Sequence, residues 1–363
     1  MPTHRKSSTS RRLSKLREII RGKKNLLVVV QDFPDPDAIG AAAALKELVR
    51  FYEGMPGSMA CGGFVGRAEN RALVKYLDLN LLSLGRIDVS RFDLVAMVDT
   101  QPGTGNNSLP PDITPDVVID HHPIHSVTRK SPFHDVRSRY GATASILFEY
   151  LTQAGVEISV PLATALVYGI RSDTHDLGRD TTQADIAALL ALYPLVNKRM
   201  LSRIEMERLP RDYFEILDTG LRNAKTQGCC VISGLGSINN PDMIGEVADL
   251  LLRNEESSWA LCHGFYGGRM LISIRTSDVE ADAGRLVHRI VRPFGTGGGH
   301  RAMAGAQIPV GDLTPREIKK LQKHIVRHFL KLLGQGDRPE VPLVLDRDVP
   351  AEGAGPPNGT RAH

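Results

Sequence analysis

Three short apolar runs, Leu26–Val30, Leu94–Val98 and Val117–Ile119, each end directly on polar or acidic residues. Runs of this length and composition read as strands. A polar turn from Gln31 to Asp37 follows the first, and then an alanine-rich stretch, Ala38 to Tyr52, that reads as a helix. Strand, turn and helix in that order open an α/β unit. A further strand is predicted at Met59–Phe64, with helices at Ala68–Tyr76, Ala142–Ala154, Leu162–Arg171 and Thr182–Tyr193.

After a charged helical stretch, Asn197 to Leu209, the pattern changes. Strands are predicted at Cys229–Ser233 and Leu261–Tyr266, with a hairpin partner at Arg269–Arg275 across the Gly267-Gly268 turn. Helices at Ala283–Val291 and Thr314–Leu333 complete a smaller α+β domain. From Gly334 the chain is rich in Pro, Gly and charge, which predicts a disordered tail. The predicted division is a basic leader (1–24), an α/β domain (25–195), a helical connector (196–222), an α+β domain (223–333) and the tail (334–363).

A chain of 363 residues, 42% hydrophobic and 24% charged, fits one large or two ordinary domains and excludes collagen-like, coiled-coil and wholly disordered classes. The longest apolar run, Ile186 to Val196, is too short to span a membrane and contains Pro194. No apolar segment follows the basic N-terminus as a secretory signal requires, so a soluble cytoplasmic protein is expected. Residues 1 to 24 carry nine Lys and Arg against one acid, leaving the rest of the chain at −4. Such a leader, predicted to be helical over Ser14 to Arg21, can contact nucleic acid through phosphates or can simply be solvated. Cys61, Cys229, Cys230 and Cys262 include no C-x-x-C pair and are expected to be small buried hydrophobes.

Four acidic clusters punctuate the first domain: Asp35-Pro-Asp37, Asp99, Asp120-His121-His122 and Asp173. Three follow predicted strands, and ligands in open α/β sheets sit beyond the carboxyl ends of strands. Singly, each has another reading: Asp35 or Asp37 as a helix N-cap, Asp99 as a turn cap, Asp120 as a histidine orienter, Asp173 as a surface residue. Together, carboxylates sharing one crevice repel unless cations intervene. Oxygen and imidazole donors suit Mn(II), Fe(II), Zn(II) or Mg(II).

The segments Pro34-Asp-Pro-Asp-Ala-Ile-Gly40, Val98-Asp99, Asp120-His-His122 and Gly169-Ile-Arg-Ser-Asp-Thr174 resemble the motifs of the DHH phosphoesterase family. Arg275-Thr-Ser277 and Gly297-Gly-Gly-His300, before Ala304-Gly305, resemble its DHH-associated C-terminal domain. Size and order are most similar to the bifunctional oligoribonuclease and pAp phosphatase branch. The resemblance implies two divalent cations, Mn(II) or else Mg(II), one held by Asp35 and Asp99 and the other by Asp37, Asp99, His121 and Asp173. They would activate water against a phosphate ester. It implies that His122 contacts the scissile phosphate and Asp120 orients the pair. In the second domain Arg275, Gly297, Gly298, Gly299, His300 and Arg301 would grip the substrate, with a cleft between domains favouring short ones.

In the family a histidine stands four residues before the first motif aspartate, as a metal ligand; here Gln31 does. A neutral amide is a weaker ligand for transition metals. Asp32 should point the other way along the strand, and His175 is a candidate substitute. The expected activity is hydrolysis of short oligonucleotides or of 3′-phosphoadenosine 5′-phosphate (pAp). Alternatives are a nucleotide-binding protein with weakened or lost catalysis, or a cyclic-dinucleotide phosphodiesterase. A homodimer is an open option.

Overall fold

The structure is a computed structural model that describes residues 8–299 and 301–344. The chain divides between Pro210 and Arg211 into two compact units.

The first unit contains strands β1 (Leu26–Val29), β2 (Gly57–Cys61), β3 (Leu81–Ser83), β4 (Leu94–Val98), β5 (Val117–Asp120) and β6 (Phe133–Val136). Its helices are α1 (Ser8–Ile20), α2 (Pro36–Glu53), α3 (Ala68–Tyr76), α4 (Thr143–Ala154), α5 (Val160–Asp173), α6 (Gln183–Leu192) and α7 (Lys198–Glu205). All strand pairs are parallel, in the order β3-β2-β1-β4-β5-β6. β1, β4 and β5 are buried at every position because both sheet faces are covered. Leu26, Val28, Ala96 and Ile119 face α2, α4 and α5, while Leu27, Val29, Met97 and Val118 form a second cluster with Leu84 and Val89. Strand order reverses at β1, whose neighbours are β2 and β4, so the site-forming clusters lie at a topological switch point.

β3 and β6, the two edge strands, are not among the predicted strands. Each is short, and β6 (Phe-His-Asp-Val) is half polar, so neither carries a clear apolar run. The basic leader is helical, as its Ser14 to Arg21 stretch predicts, but it is packed rather than simply solvated. From Ser8 to Ile20 it is a helix whose Leu13, Leu16 and Ile20 are buried in the core, while Arg12 reaches Asp135 at 3.3 Å. Its basic residues lie around an apolar stripe that binds it to α4. The predicted connector is likewise divided: α7 buries Leu201 and Ile204 in the first unit, and α8 (Arg211–Arg222) opens the second.

Helices α2 and α5 approach closely through glycine. A Cβ on Gly40 would lie 3.0 Å from the Ala165 carbonyl oxygen, and one on Gly169 would lie 3.0 Å from the Asp37 Cα. Gly169 stands one turn before Asp173, so this contact sets the distance between Asp37 and Asp173. Gly169→Val is expected to destabilise the fold by about 1–3 kcal/mol by overpacking. It is also expected to weaken Mn(II)-induced thermal stabilisation, both read by calorimetry with and without the ion.

In the second unit, β7 (Lys225–Gln227), β8 (Cys230–Ser237), β9 (Trp259–Tyr266), β10 (Arg269–Thr276), β11 (Thr296–Gly299), β12 (Met303–Pro309) and β13 (Glu340–Pro342) form a sheet in the order β11-β12-β10-β9-β8-β7-β13. Helices α10 (Ala283–Val291) and α11 (Pro315–Leu332) cover one face, and α8 and α9 (Asp242–Leu251) the other. Gly267 and Gly268, at φ +56° and +72°, make the predicted hairpin turn. The predicted disordered tail needs correction in part: Glu340–Pro342 pairs with β7. The rest of the tail, from 345, lies outside the described residues, as do 1–7. No described helix is long and apolar enough to cross a membrane.

Candidate functional site

The loop after β1 delivers two carboxylates to the start of α2. Asp35 is the N-cap: its side chain accepts from the Ala38 amide at 2.9 Å and, on its other oxygen, from Gln31 Nε2 at 2.8 Å. Asp37, fully buried, accepts from the amides of Thr143 at 2.7 Å and Ala144 at 2.8 Å, the N–H groups that begin α4 and have no partner within the helix. Burial and then the Asp173 charge push Asp35 up to about 6 and Asp37 up to about 8.

Asp99 follows β4 at φ +59°, a left-handed conformation that a side chain normally avoids. The carboxylate is wholly buried; Thr143 Oγ1 donates to Oδ1 at 2.9 Å and nothing donates to Oδ2. Burial, and then the charges of Asp37, Asp35, Asp173 and Asp120, hold its carboxyl well above the usual range.

Asp120 ends β5 and organises both histidines. Its Oδ1 accepts from the His121 amide at 2.8 Å and the His122 amide at 3.2 Å, and lies 2.8 Å from His122 Nδ1. Burial alone would raise Asp120, but His122 and its neighbours hold it well below the carboxylate range. His121 Nδ1 lies 3.1 Å from the Tyr140 carbonyl, which can only accept, so Nδ1 carries the hydrogen. Nε2 is thereby directed at Asp173 Oδ2, 3.3 Å away, and Asp99 Oδ1, 3.5 Å away. Burial lowers His121, yet Asp173 and then Asp37 and Asp120 raise it to about 10.

Donor atoms of Asp37, Asp99, His121 and Asp173 all lie within 4.8 Å of one another, and Asp99, His121 and His122 form an overlapping group. Three carboxylates, one imidazole and a buried carboxylate oxygen lacking a donor are a set that a divalent cation satisfies. Asp35 stands outside both groups, although near enough to Asp173 to be perturbed by it. Gln31 turns its amide nitrogen to Asp35. Asp32 points elsewhere, accepting from Gly62 and Ser108. His175 is exposed, at φ +47°, and in neither group.

In the second unit, Thr296–Gly299 is a strand rather than an open turn. Gly297 and Gly299 are required by packing: added Cβ atoms would lie 2.9 Å from Ala306 Cβ and 2.3 Å from the Met303 carbonyl oxygen, whereas at Gly298 nothing lies within 4 Å. Arg275 is largely buried and engaged within its own unit, donating from Nε to Asp249 at 2.5 Å and from Nη1 to Ser273 at 2.6 Å. Arg301 is exposed, and His300 lies outside the described residues.

Gln101, Tyr140 and Thr143 do not stand out in the sequence as site residues. Gln101, fully buried, donates from Nε2 to Asp120 at 2.6 Å while its Oε1 accepts from His125 and Thr128. Tyr140 and Thr143 act partly through backbone atoms, which leave no side-chain signature. The one available hint is the small-residue start of a helix at Gly141-Ala-Thr-Ala144.

A parallel sheet bearing acids and histidines at the ends of its central strands is joined in sequence to a mixed-sheet unit, and its acid and histidine cluster could hold a metal ion. Residues 26–170 match the DHH family, N-terminal domain, and residues 227–329 match the DHHA1 domain. The chain therefore carries a DHH domain followed by a DHHA1 domain. It is 35% identical over 313 residues to an uncharacterized protein of Methanocaldococcus jannaschii, covering 85% of this chain and 63% of that one. It is 26% identical over 176 residues to a probable manganese-dependent inorganic pyrophosphatase of Lactiplantibacillus plantarum, covering 48% and 53%. An exopolyphosphatase-related protein from Bacteroides fragilis shares the fold, at TM-score 0.70 and 15% identity over 92% of this chain and all of that one.

Proposed function

We propose that the protein is a metal-dependent phosphoesterase acting on short nucleotides, either short oligonucleotides or pAp. The convergence of Asp37, Asp99, His121 and Asp173 carries this reading. Asp37, Asp99, His121 and Asp173 would hold one divalent cation, and Asp35 with Asp99 a second. When bound, such a pair supplies an acidified water and neutralises phosphoryl charge. The manganese in the name of the Lactiplantibacillus plantarum relative favours Mn(II).

The chain's own groups do the remaining work. The α4 amides and Thr143 fix Asp37 and Asp99 before a cation arrives, so little reorganisation accompanies binding. Asp120, braced by Gln101, holds His122 through Nδ1, so that the ring, once it takes up a second proton, can donate from Nε2 to a phosphate oxygen. In the DHHA1 domain, Gly298, Arg275, Arg301 and His300 are the proposed substrate contacts, with Gly297 and Gly299 shaping the strand. The test is Mn(II)-supplemented protein with a dinucleotide and with pAp, following release of mononucleotide and phosphate. Folded protein inert with every divalent ion on both substrates would defeat the proposal.

The Gln31–Asp35 contact favours a second reading, a nucleotide-binding protein with weakened catalysis. Gln31→His is expected to raise Mn(II) affinity at the Asp35 position about tenfold, since imidazole is the better ligand. Titration followed by manganese paramagnetic resonance checks this. Inert wild-type protein that binds pAp, with activity gained in Gln31→His, would establish the second reading.

A further inference from the structure

Basic charge is concentrated in one segment of the second unit. Residues 285–331 hold ten Lys and Arg against two acids, a net of +8 in a chain whose total is +4. One of those acids, Glu317, is occupied in the capping box of α11, where it accepts from Thr314. The inner faces of α10 and α11 are apolar and buried, through Val287, Ile290, Ile325 and Phe329, so the cations are left outside. His324, His328 and Lys331 succeed one another at helical spacing on α11. His328 is held below its ordinary range by burial and then by His324, Arg289 and Lys331, so α10 and α11 direct positive charge at one place.

Among the described residues, Arg289, Arg292, Lys323, Arg327 and Lys331 have no carboxylate within ion-pair distance. Arg285, one turn before Arg289, is neutralised by Asp282 at 3.1 Å, where α10 borders a cavity of about 450 Å³. The uncompensated charge therefore begins at Arg289. Beside it, Phe294 is 39% exposed and meets His324 edge to face at 5.3 Å between ring centres. Like charges held close without counter-ions repel, and the arrangement is relieved by a polyanion that threads between them. A flat aromatic edge next to spaced cations matches a single strand, whose bases stack while its phosphates are neutralised.

We propose that the seam of α10 and α11, marked by Arg289, Phe294, His324, Arg327 and Lys331, binds the phosphate backbone of single-stranded nucleic acid. This surface is independent of the phosphoesterase reading. It uses neither the DHH acids nor the glycine strand, and a chain lacking hydrolytic activity could still carry it.

The test is fluorescence anisotropy of the full chain with a labelled single-stranded RNA of about 12 nucleotides, in chelator so that no hydrolysis competes. The double variant Arg289→Ala, Lys331→Ala is expected to bind at least ~10-fold more weakly, with the salt slope reduced by about 1.4. Phe294→Ala should weaken binding while leaving the slope unchanged. Both variants change exposed side chains, and circular dichroism verifies their fold. Unaltered affinity and slope in the double variant would overturn the proposal. So would tight, variant-sensitive binding to vesicles of phosphatidylserine and phosphatidylcholine without binding to RNA, which would make the face a membrane contact.

Discussion

Asp99→Asn is expected to abolish Mn(II)-dependent hydrolysis, by at least ~10³-fold, while making the metal-free protein more stable. Asp99 is placed to serve both proposed cations, so its loss removes a charge from each position at once. In wild type, saturating ion should stabilise by about 2.7 kcal/mol at a hundred times its dissociation constant. In the variant that increment should vanish. Without metal, the same carboxylate is a liability: it is buried, one oxygen lacks a donor, and the charges of four further carboxylates act on it. Asparagine keeps an acceptor for Thr143 and discards the charge. A gain of about 1–2 kcal/mol would raise the melting temperature by about 2–8 °C for a unit of this size. Calorimetry in chelator and in Mn(II) measures both halves, and a variant that keeps its Mn(II) shift would remove Asp99 from the site.

The same cluster sets the response to pH. Asp35 and Asp37 bind protons more tightly folded, with values of about 6 and 8 against 3.8 unfolded. His121, at about 10 against 6.5, does the same. Each raised value means that the folded state holds more protons, so stability declines as pH rises through that window. Asp120 shifts the other way, but its window lies below the unfolded value of 3.8. Metal-free protein should therefore lose stability steadily from pH 5 to 9. Mn(II), which replaces those protons, should flatten the curve.

The second large effect is expected away from the acids. Arg137 is nearly buried and donates to Asp135 from Nε and Nη2, at 2.9 and 2.7 Å, and from Nη1 to Glu149 at 2.7 Å. Tyr150 also donates to Asp135 at 2.7 Å, and Thr9 to Glu149 at 2.7 Å. The network thus ties α1, β6 and α4 together, just before the Tyr140 carbonyl that fixes His121. Arg137→Met would leave Asp135 charged in the interior with Tyr150 and the partly exposed Arg12. Breaking a buried pair in this way costs about 3–5 kcal/mol. Denaturant titration should show that loss, and Arg137→Met with Asp135→Leu should recover much of it. A single variant as stable as wild type would mean that the network holds nothing together.

The α/β class, the central strands and the order of the acidic clusters were legible in the sequence. Buried strands are short continuous apolar runs, and the polar residue that ends each run is a local signal. The hairpin at Gly267-Gly268 was legible for the same reason, since two left-handed residues are demanded at the turn itself. Edge strands β3, β6 and β11 were not. A strand at a sheet margin is half solvated and short, and Thr296–Gly299 has no apolar side chain to mark it as a strand.

What the chain alone determined is which groups exist to do chemistry and that they follow one another strand by strand. What only tertiary structure decided is which of them meet. Asp37 comes to Asp173 because Gly169 lets α5 close on α2, and His121 presents Nε2 because a backbone carbonyl claims Nδ1. Asp35, no better a helix-cap candidate than Asp37 in the sequence, is drawn aside by its helix cap and by Gln31. The basic leader became a packed helix through three buried side chains. Except at Asp35, whose partners are near neighbours in sequence, the deciding contact joins residues well separated in the chain. Local composition carries no record of such a contact.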